Sequence, residues 1–89
     1  MQENQETLLE FPCRFPIKVM AKSHETLEED VAAIVAKHHQ DIENHEIYTR
    51  PSKQGRYSSV TVIIEATSKQ QLDNIYLELT SQSWVLMAL

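Results

Sequence analysis

The first strand-like pattern in the chain spans residues 14–21. Apolar side chains recur there at every second position, which places them on one face of an extended strand. These side chains are Phe15, Ile17, Val19 and Ala21. Pro16 points to the other face and donates no backbone hydrogen bond, so the strand is expected to begin near it. The segment is therefore predicted to be a strand with one buried face.

Residues 23–39 change to a helical period. Their apolar stripe is made of Leu27, Val31, Ile34, Val35 and His38. Thr26 with Glu29 matches the spacing of a capping box, and Ser23 is an alternative cap. Acidic residues fill the first turns and basic or histidine residues close the last one, as the helix dipole prefers. This pattern predicts the first helix.

A second helical period covers residues 68–79. Its apolar stripe consists of Leu72, Ile75, Tyr76 and Leu79. Ser68 and Gln71 are three residues apart, which is again the spacing of a capping box. We therefore predict a second amphipathic helix.

Three further segments have the pattern of strands. Residues 45–51 form a short one that Pro51 ends, and residues 83–89 close the chain as another. The strongest alternation lies in residues 56–67. Its two faces carry Val60, Val62, Ile64 and Ala66 on one side and Tyr57, Ser59, Thr61 and Ile63 on the other. Gly55 ends the connection at 52–55, where a turn usually needs a positive φ.

The order of these elements is βαββαβ, which is that of a ferredoxin-like α+β sandwich. Right-handed crossovers give a four-stranded antiparallel sheet of order 4-1-3-2, with both helices on one face. Residues 8–89 are expected to form this single domain, and the polar residues 1–7 are expected to be frayed.

The composition is that of one small globular domain. The 89 residues carry a net charge of −5, and a hydrophobic content of 42% is enough for one modest core. The negative charge disfavours nucleic acids and anionic membranes as partners. Cys13 is the single cysteine, which excludes an internal disulfide and fits a reducing compartment. No apolar run has membrane-spanning length and the start lacks a signal-peptide pattern, so we expect a cytoplasmic protein.

Several segments resemble the YbeD-like family of small bacterial proteins of unknown function. They are LLEFPC, FPIKVM, PSKQGRYSSVTV, IYLEL and VLMAL. The resemblance runs from about Leu8 to Leu89. It implies a ferredoxin-like fold similar to regulatory ACT domains, no established activity, and an association with lipoate metabolism. Ala21 departs from the family, whose members often have glycine at this turn, as do ACT domains that bind amino acids.

The hairpin end of the fold offers a candidate anion site. Its residues are Lys22, Ser52, Lys53, Gly55 and Arg56. Backbone amides at the start of the first helix would add donors. The alternative is that the cations only pair with Glu25, Glu28 and Glu29, and that the loop is turn chemistry alone.

The sheet face that the helices leave uncovered is a candidate partner surface. Its candidate contact residues are Met20, Tyr57, Ile63, Trp84 and Leu86, joined by Ala88 if Val85, Met87 and Leu89 face the core. An exposed apolar patch often marks a surface that binds another protein or a second copy of the chain. The alternative is that residues 8–11 of the leading segment lie over this face.

No residues have the spacing of a metal or catalytic site. His38 and His39 are adjacent on a helix and point about 100° apart, so one metal ion would need His45 or Asp41 as well. Solvation at the helix end is the expected state of these histidines. Cys13 has no neighbouring base and is expected to be a partly buried structural thiol. No cofactor, metal or catalytic residue is therefore predicted.

These patterns favour a non-enzymatic regulatory or adaptor domain that acts by protein contact, with a partner protein or a second copy on the open sheet face. The alternative is an ACT-like small-molecule sensor, which the family resemblance links to lipoate metabolism. RNA binding is disfavoured, because the third strand offers only Tyr57 as a stacking aromatic and the chain is acidic.

Overall fold

Two long strands form the middle of the sheet in the computed structural model, which describes residues 10–39 and 46–89. The described elements are β1 (Cys13–Lys22), α1 (Leu27–Ala36), β2 (Glu46–Pro51), β3 (Tyr57–Ala66), α2 (Lys69–Thr80) and β4 (Val85–Ala88). The strands pair in the order β2-β3-β1-β4, and every pairing is antiparallel. This is the predicted order 4-1-3-2 read from the other edge, so the ferredoxin-like α+β prediction is confirmed.

The register between β1 and β3 brings the predicted apolar faces together. Ile17 lies opposite Val62, and Val19 lies opposite Val60. All four side chains are fully buried. Because side chains alternate across a strand, this register sends the intervening positions to the opposite side of the sheet.

Both helices bury their predicted apolar stripes against that inner face. The buried residues are Leu27, Val31, Ile34 and Val35 on α1 and Leu72, Ile75 and Leu79 on α2. Tyr76 packs at the margin of the core, and burial raises the pKa of its hydroxyl. Phe11 also packs against this core, so the described end of the leading segment lies on the helix side of the sheet.

The two helix starts differ in their capping. Ser68 Oγ accepts a hydrogen bond from the backbone N–H of Gln71 at 3.0 Å, and Gln71 Oε1 accepts one from the N–H of Thr67 at 2.8 Å. This confirms the cap predicted for α2. Thr26 occupies the N-cap position of α1 but makes no side-chain cap, because its hydroxyl donates to Asp30 Oδ2 at 3.0 Å. The capping box predicted for α1 was therefore wrong.

The last strand departs from simple alternation. Met87 pairs with Met20 and Val85 pairs with Ala21, so two steps along β4 match one step along β1. Ala88 lies opposite the buried Val19, and both Val85 and Ala88 pack against the core. The expectation that Met87 and Leu89 face the core while Ala88 faces away from it was wrong, because this bulge shifts the alternation by one residue.

Several predictions concern residues outside the described ranges. These are the fraying of residues 1–7, any cover formed by residues 8 and 9, and the contribution of His45 or Asp41 to a metal site. In residues 10–39 and 46–89, no helix has the length and apolar character that a membrane crossing requires.

Candidate functional site

The side of the sheet that faces away from α1 and α2, called the open face below, follows directly from the strand registers. Tyr48 lies opposite Thr61, which lies opposite Lys18. In the next row, Arg50 lies opposite Ser59, which lies opposite Met20. The remaining paired positions on this side are Arg14, Pro16, Lys22, Glu46, Tyr57, Ile63, Glu65 and Met87.

Cations outnumber carboxylates on the open face although the whole chain is acidic. Arg14 Nη2 donates to Glu46 Oε1 at 2.9 Å, so these two charges are matched. Lys18, Lys22 and Arg50 form no ion pair with any described residue. The described acids of the two helices point elsewhere, which leaves a basic surface on one side of an acidic protein.

A groove that has Arg50 in its lining, called the Arg50 groove below, lies on this surface. It encloses 510 Å³ and is lined by Lys18, Tyr48, Thr49, Arg50, Ser59 and Thr61. A second, smaller groove of 190 Å³ lies on the other side of Arg50 and reaches Met20 and Tyr57. Arg50 and Ser59 belong to both grooves, so Arg50 forms the ridge between them.

An exposed strip of apolar residues, called the apolar edge below, borders these cations along β1 and β4. It consists of Met20, Leu86, Met87 and Leu89, whose exposed fractions are 37%, 53%, 49% and 68%. Leu89 exchanges two backbone hydrogen bonds with Lys18, at 2.9 and 2.7 Å, which places it in the same row as that cation. Apolar contact area and unpaired positive charge are therefore adjacent on one face.

The predicted partner-contact residues are divided by the structure. Met20, Tyr57 and Ile63 lie on the open face, and Leu86 is exposed beside it. Trp84 does not lie there: it packs against the core, and its ring stands edge-on to the ring of His24 with the centroids 5.3 Å apart. Its placement on the open face was wrong, because the strand begins only at Val85 and Trp84 belongs to the turn before it.

The predicted anion site lies at one end of the sheet, as its residues indicated. Lys22 ends β1 opposite Tyr57, while Ser52, Lys53, Gly55 and Arg56 form or flank the hairpin turn. Gly55 has a φ of +80°, which confirms the positive φ expected of it. None of the cations forms an ion pair with Glu25, Glu28 or Glu29 among the described contacts.

Backbone N–H groups of the hairpin loop are occupied by hydrogen bonds to backbone carbonyls. The N–H of Ser52 donates to the carbonyl of Tyr57 at 2.7 Å, and the N–H of Gly55 donates to the carbonyl of Ser52 at 3.0 Å. The N–H of Ser23 donates to the carbonyl of Arg56 at 2.9 Å, which fixes the loop to the end of β1. These hairpin amides are therefore occupied by the fold itself. Binding of an anion by the basic side chains and by amides at the start of α1 stays a prediction.

The histidines make structural contacts in place of the solvation expected of them. His38 Nε2 donates to Glu78 Oε1 at 2.7 Å, and Lys37 Nζ donates to Glu78 Oε2 at 2.6 Å. Together these contacts tie the end of α1 to α2 and hold the pKa of Glu78 below its usual value, Lys37 contributing most. His39 is buried and its Nε2 accepts a hydrogen bond from the N–H of Glu65 at 3.3 Å.

His24 and Cys13 also make structural contacts. His24 Nε2 donates to Asp30 Oδ2 at 2.9 Å, and this hydrogen bond, with that of Thr26, lowers the pKa of Asp30. Cys13 is partly buried and packs against the core, as expected. Among the residues that the structure describes, His, Cys, Asp and Glu do not gather into a group that could hold a metal ion.

The sequence interpretation missed three residues of the open face, Tyr48, Arg50 and Met87. Tyr48 and Arg50 could have been assigned from β3, because directly paired residues on neighbouring strands point to the same face of the sheet. Arg50 pairs with Ser59 and Tyr48 pairs with Thr61, and both β3 residues had been assigned to the face of Tyr57. A two-strand alignment of residues 46–51 with 58–63 would have found them. Met87 carried no such signal, because its position depends on the bulge in β4.

Comparison with known proteins identifies the family of this chain. A family model described as a protein of unknown function, DUF493, matches residues 6–89. A UPF0250 protein from Neisseria gonorrhoeae is 46% identical over 88 residues, which cover 99% of this chain and 97% of that protein. A UPF0250 protein from Chromobacterium violaceum is 42% identical over 89 residues and covers 100% of both chains.

Solved structures share the fold at low sequence identity. Protein HP0495 from Helicobacter pylori superposes with a TM-score of 0.69 at 16% identity, covering 91% of this chain and 85% of that one. The C-terminal domain of the MgtC protein from Mycobacterium tuberculosis gives a TM-score of 0.61 at 14% identity, covering 99% and 89%. These matches bear on the fold alone, whereas the sequence relatives confirm the resemblance noted above: the chain belongs to the DUF493 family of proteins of unknown function.

Proposed function

We propose that this chain is a non-enzymatic adaptor or regulatory domain that binds a partner protein through its open face. The observation that carries the proposal is the apolar edge on a face that neither helix covers, beside cations with no ion-pair partner in the part of the chain that the structure describes. Met87 and Leu89 are held in place by pairing with β1, so their exposure results from the sheet geometry. A rigid apolar strip with a polar border is the arrangement typical of protein-binding surfaces.

Methionine suits such a role because of its physical chemistry. Met20 and Met87 are direct cross-strand neighbours. Their thioether side chains are flexible and polarisable, so they adapt to the shape of a partner's apolar groups. Burying exposed methionine and leucine side chains would supply the apolar free energy of association, at about 25 cal/mol for each Å² removed from water.

A symmetric dimer through the open face is disfavoured by charge. Lys18, Lys22 and Arg50 would face a second copy whose open face also carries more cations than carboxylates, and like charges in a desolvated interface cost several kcal/mol by order of magnitude. A heterologous partner with a complementary surface avoids this cost. We therefore favour a different protein over a second copy as the occupant.

A photo-cross-linking amino acid at position 87 tests the surface directly in cells. Cross-linking from position 87 should give a discrete adduct, whereas the same amino acid at Leu77 on α2 should not. Leu77 is the matched control because it is also a large, exposed apolar residue, with 69% of its surface accessible. Adducts of the same mass from both positions would contradict a specific partner surface.

Substitution supplies the second arm of this experiment. Met87→Glu should abolish recovery of the cross-linked partner in a pull-down from the native cell, and Leu77→Glu should leave it unchanged. Retention of the partner by Met87→Glu would show that the open face is not the contact.

The small-molecule sensor is the competing function, and a thermal-shift screen distinguishes it. A rise in melting temperature with one amino acid, lipoyl compound or nucleotide would favour the sensor, because a ligand that binds only the folded state stabilises it. The adaptor predicts no such rise together with a Met87-dependent partner.

A further inference from the structure

We infer that the Arg50 groove binds carboxylate side chains of an acidic segment of the partner, whose apolar residues then rest on the apolar edge. This inference rests on the proposed function and specifies the chemistry of the partner. It is carried by the juxtaposition of two unpaired cations, a row of hydroxyl groups and an exposed apolar strip on one rigid sheet.

The sheet register places the two cations on opposite sides of the groove. Lys18 is on β1 and Arg50 is on β2, with β3 between them. The β3 residues Ser59 and Thr61 supply hydroxyl groups to the lining. Adjacent strands are about 4.8 Å apart, so the strands that carry the cations are separated by about 10 Å. An extended carboxylate-bearing segment fits between them and can meet both charges.

The unpaired state of these cations points to an anionic occupant. Arg14, which lies on the same face, is neutralised by Glu46, whereas Lys18 and Arg50 have no ion-pair partner among residues 10–39 and 46–89. A guanidinium presents paired N–H donors that match the two oxygens of a carboxylate. The hydroxyls of Ser59 and Thr61 can donate to the same group. The groove is therefore equipped to hold carboxylates.

The second groove shows where an acidic segment would continue. It begins at Arg50 and Ser59 and ends at Met20 and Tyr57, so it leads from the cationic part of the face to the apolar edge. A segment that follows this path needs acidic residues at one end and apolar residues at the other. An acidic segment that also contains leucine, methionine or phenylalanine has this composition.

Single-stranded nucleic acid is the strongest competitor for the same surface. Tyr48 and Tyr57 are exposed by 56% and 39%, and they flank Arg50. Bases stack on aromatic rings, but the apolar edge offers them only methionine and leucine. The net charge of −5 opposes a long polyanion more than it opposes a short acidic segment. The protein partner is therefore favoured.

Three labelled probes test the inference on the full chain by fluorescence anisotropy. They are a short peptide rich in glutamate and leucine, the same peptide with glutamine in place of glutamate, and an oligothymidylate. The glutamate peptide should bind most tightly, and its affinity should fall as salt rises, because exposed charges are screened. Failure of the glutamate peptide to bind, or equal binding of the glutamine peptide, would overturn the inference.

Charge-neutralising variants locate the binding site. Arg50→Gln and Lys18→Gln should each weaken the glutamate peptide by about tenfold, as expected for the loss of one charge-assisted contact. Lys69→Gln is the matched control, since it removes the same charge from α2, where Lys69 pairs with Asp73. An equal loss of affinity for Lys69→Gln would mean that the peptide is attracted non-specifically by charge. If the oligothymidylate bound more tightly than the glutamate peptide and depended on Arg50, the ligand of the groove would be nucleic acid and the inference of an acidic segment would be wrong.

The two proposals fail in distinguishable ways. If the cellular adduct at position 87 persists unchanged in Arg50→Gln and Lys18→Gln, the open face is a partner surface but the partner does not bind it through an acidic segment. If the glutamate peptide binds in an Arg50-dependent way but position 87 gives no adduct, the groove is a site for anions and the adaptor function falls.

Discussion

Met20 and Met87 are directly paired across β1 and β4, with both side chains on the open face of the sheet. In the neighbouring pair, Val19 lies opposite Ala88 on the buried face. Met87 therefore faces solvent and the adjacent Ala88 faces the core. The bulge at Leu86 determines this assignment. This relationship determines where the apolar edge lies.

The effects of a charge at positions 87 and 88 should therefore differ. Ala88→Glu should destabilise the protein by about 2 kcal/mol or more, because a carboxylate would be forced against the core without a partner. Met87→Glu should change the free energy of unfolding by less than about 1 kcal/mol, since nearly half of that side chain is already exposed. Urea unfolding followed by circular dichroism measures both values. The reverse order of the two effects would show that β4 has the simple alternation that its sequence suggested.

That suggestion failed for a physical reason that concerns only β4. In β1 and β3, ten residues on each strand pair without interruption, and apolar residues occupy the buried face at every second position from Ile17 to Ala21 and from Val60 to Ala66. β4 has four residues, of which all are apolar, so hydrophobicity does not distinguish its two faces. With no polar residue to mark the solvent side, the register depends on tertiary pairing with β1, which no local pattern encodes.

The residues of the candidate site were predictable where the strand has a clear alternation and not where it lacks one. Tyr57 and Ile63 were assigned correctly to the open face because β3 has a strong period of two. Tyr48 and Arg50 were missed because β2 is short and almost wholly exposed, so its own pattern gives no face. The ties of His38 to Glu78 join residues 40 positions apart and follow from the packing of α1 on α2. A local sequence pattern cannot predict a contact between residues so far apart in the chain.

The caps of the two helices give a second prediction. Ser68→Ala should destabilise the protein by about 1 kcal/mol, because it removes the acceptor for the N–H of Gln71 at the start of α2. Thr26→Ala should cost less, since the Thr26 hydroxyl caps no backbone amide and contacts only the exposed Asp30. Thermal unfolding of both variants gives the comparison. A larger loss for Thr26→Ala would mean that α1 is capped in solution by Thr26 after all.

Gly55 allows the cost of backbone conformation to be measured without a steric contribution. A Cβ at this position meets no atom within 4 Å, and the backbone φ is +80°. Gly55→Ala should therefore destabilise by about 1 kcal/mol through conformational strain alone. Gly55→Asn should cost less, because asparagine tolerates the left-handed region better. Unfolding free energies check the order, with Gln54→Ala as the neutral neighbour. Equal losses for the Ala and Asn variants would point to a cause other than φ.

Glu78 should make the stability of the protein depend on acid. Hydrogen bonds from Lys37 and then His38 lower the pKa of Glu78 in the folded state below its ordinary value of 4.5, the value expected in the unfolded chain. The unfolded state therefore binds a proton more readily, and the ionised carboxylate stabilises the fold. This contribution is fully present above the ordinary value and is lost as the pH falls through the lower, folded value. Asp30 contributes in the same direction, because its pKa is lowered by His24 and Thr26.

Glu78→Gln isolates this contribution, because glutamine keeps the shape of the side chain and has no titratable proton. The variant should melt at a lower temperature than the wild type at neutral pH, and its melting temperature should fall less between about pH 5 and pH 3. Asp73→Asn is the matched control, since Asp73 lies on the same helix and pairs only with the exposed Lys69. If Glu78→Gln shows the same acid dependence as the wild type, the ties from Lys37 and His38 do not persist in solution. If Asp73→Asn flattens the curve equally, the effect belongs to the general charge of α2 and not to the link between the helices.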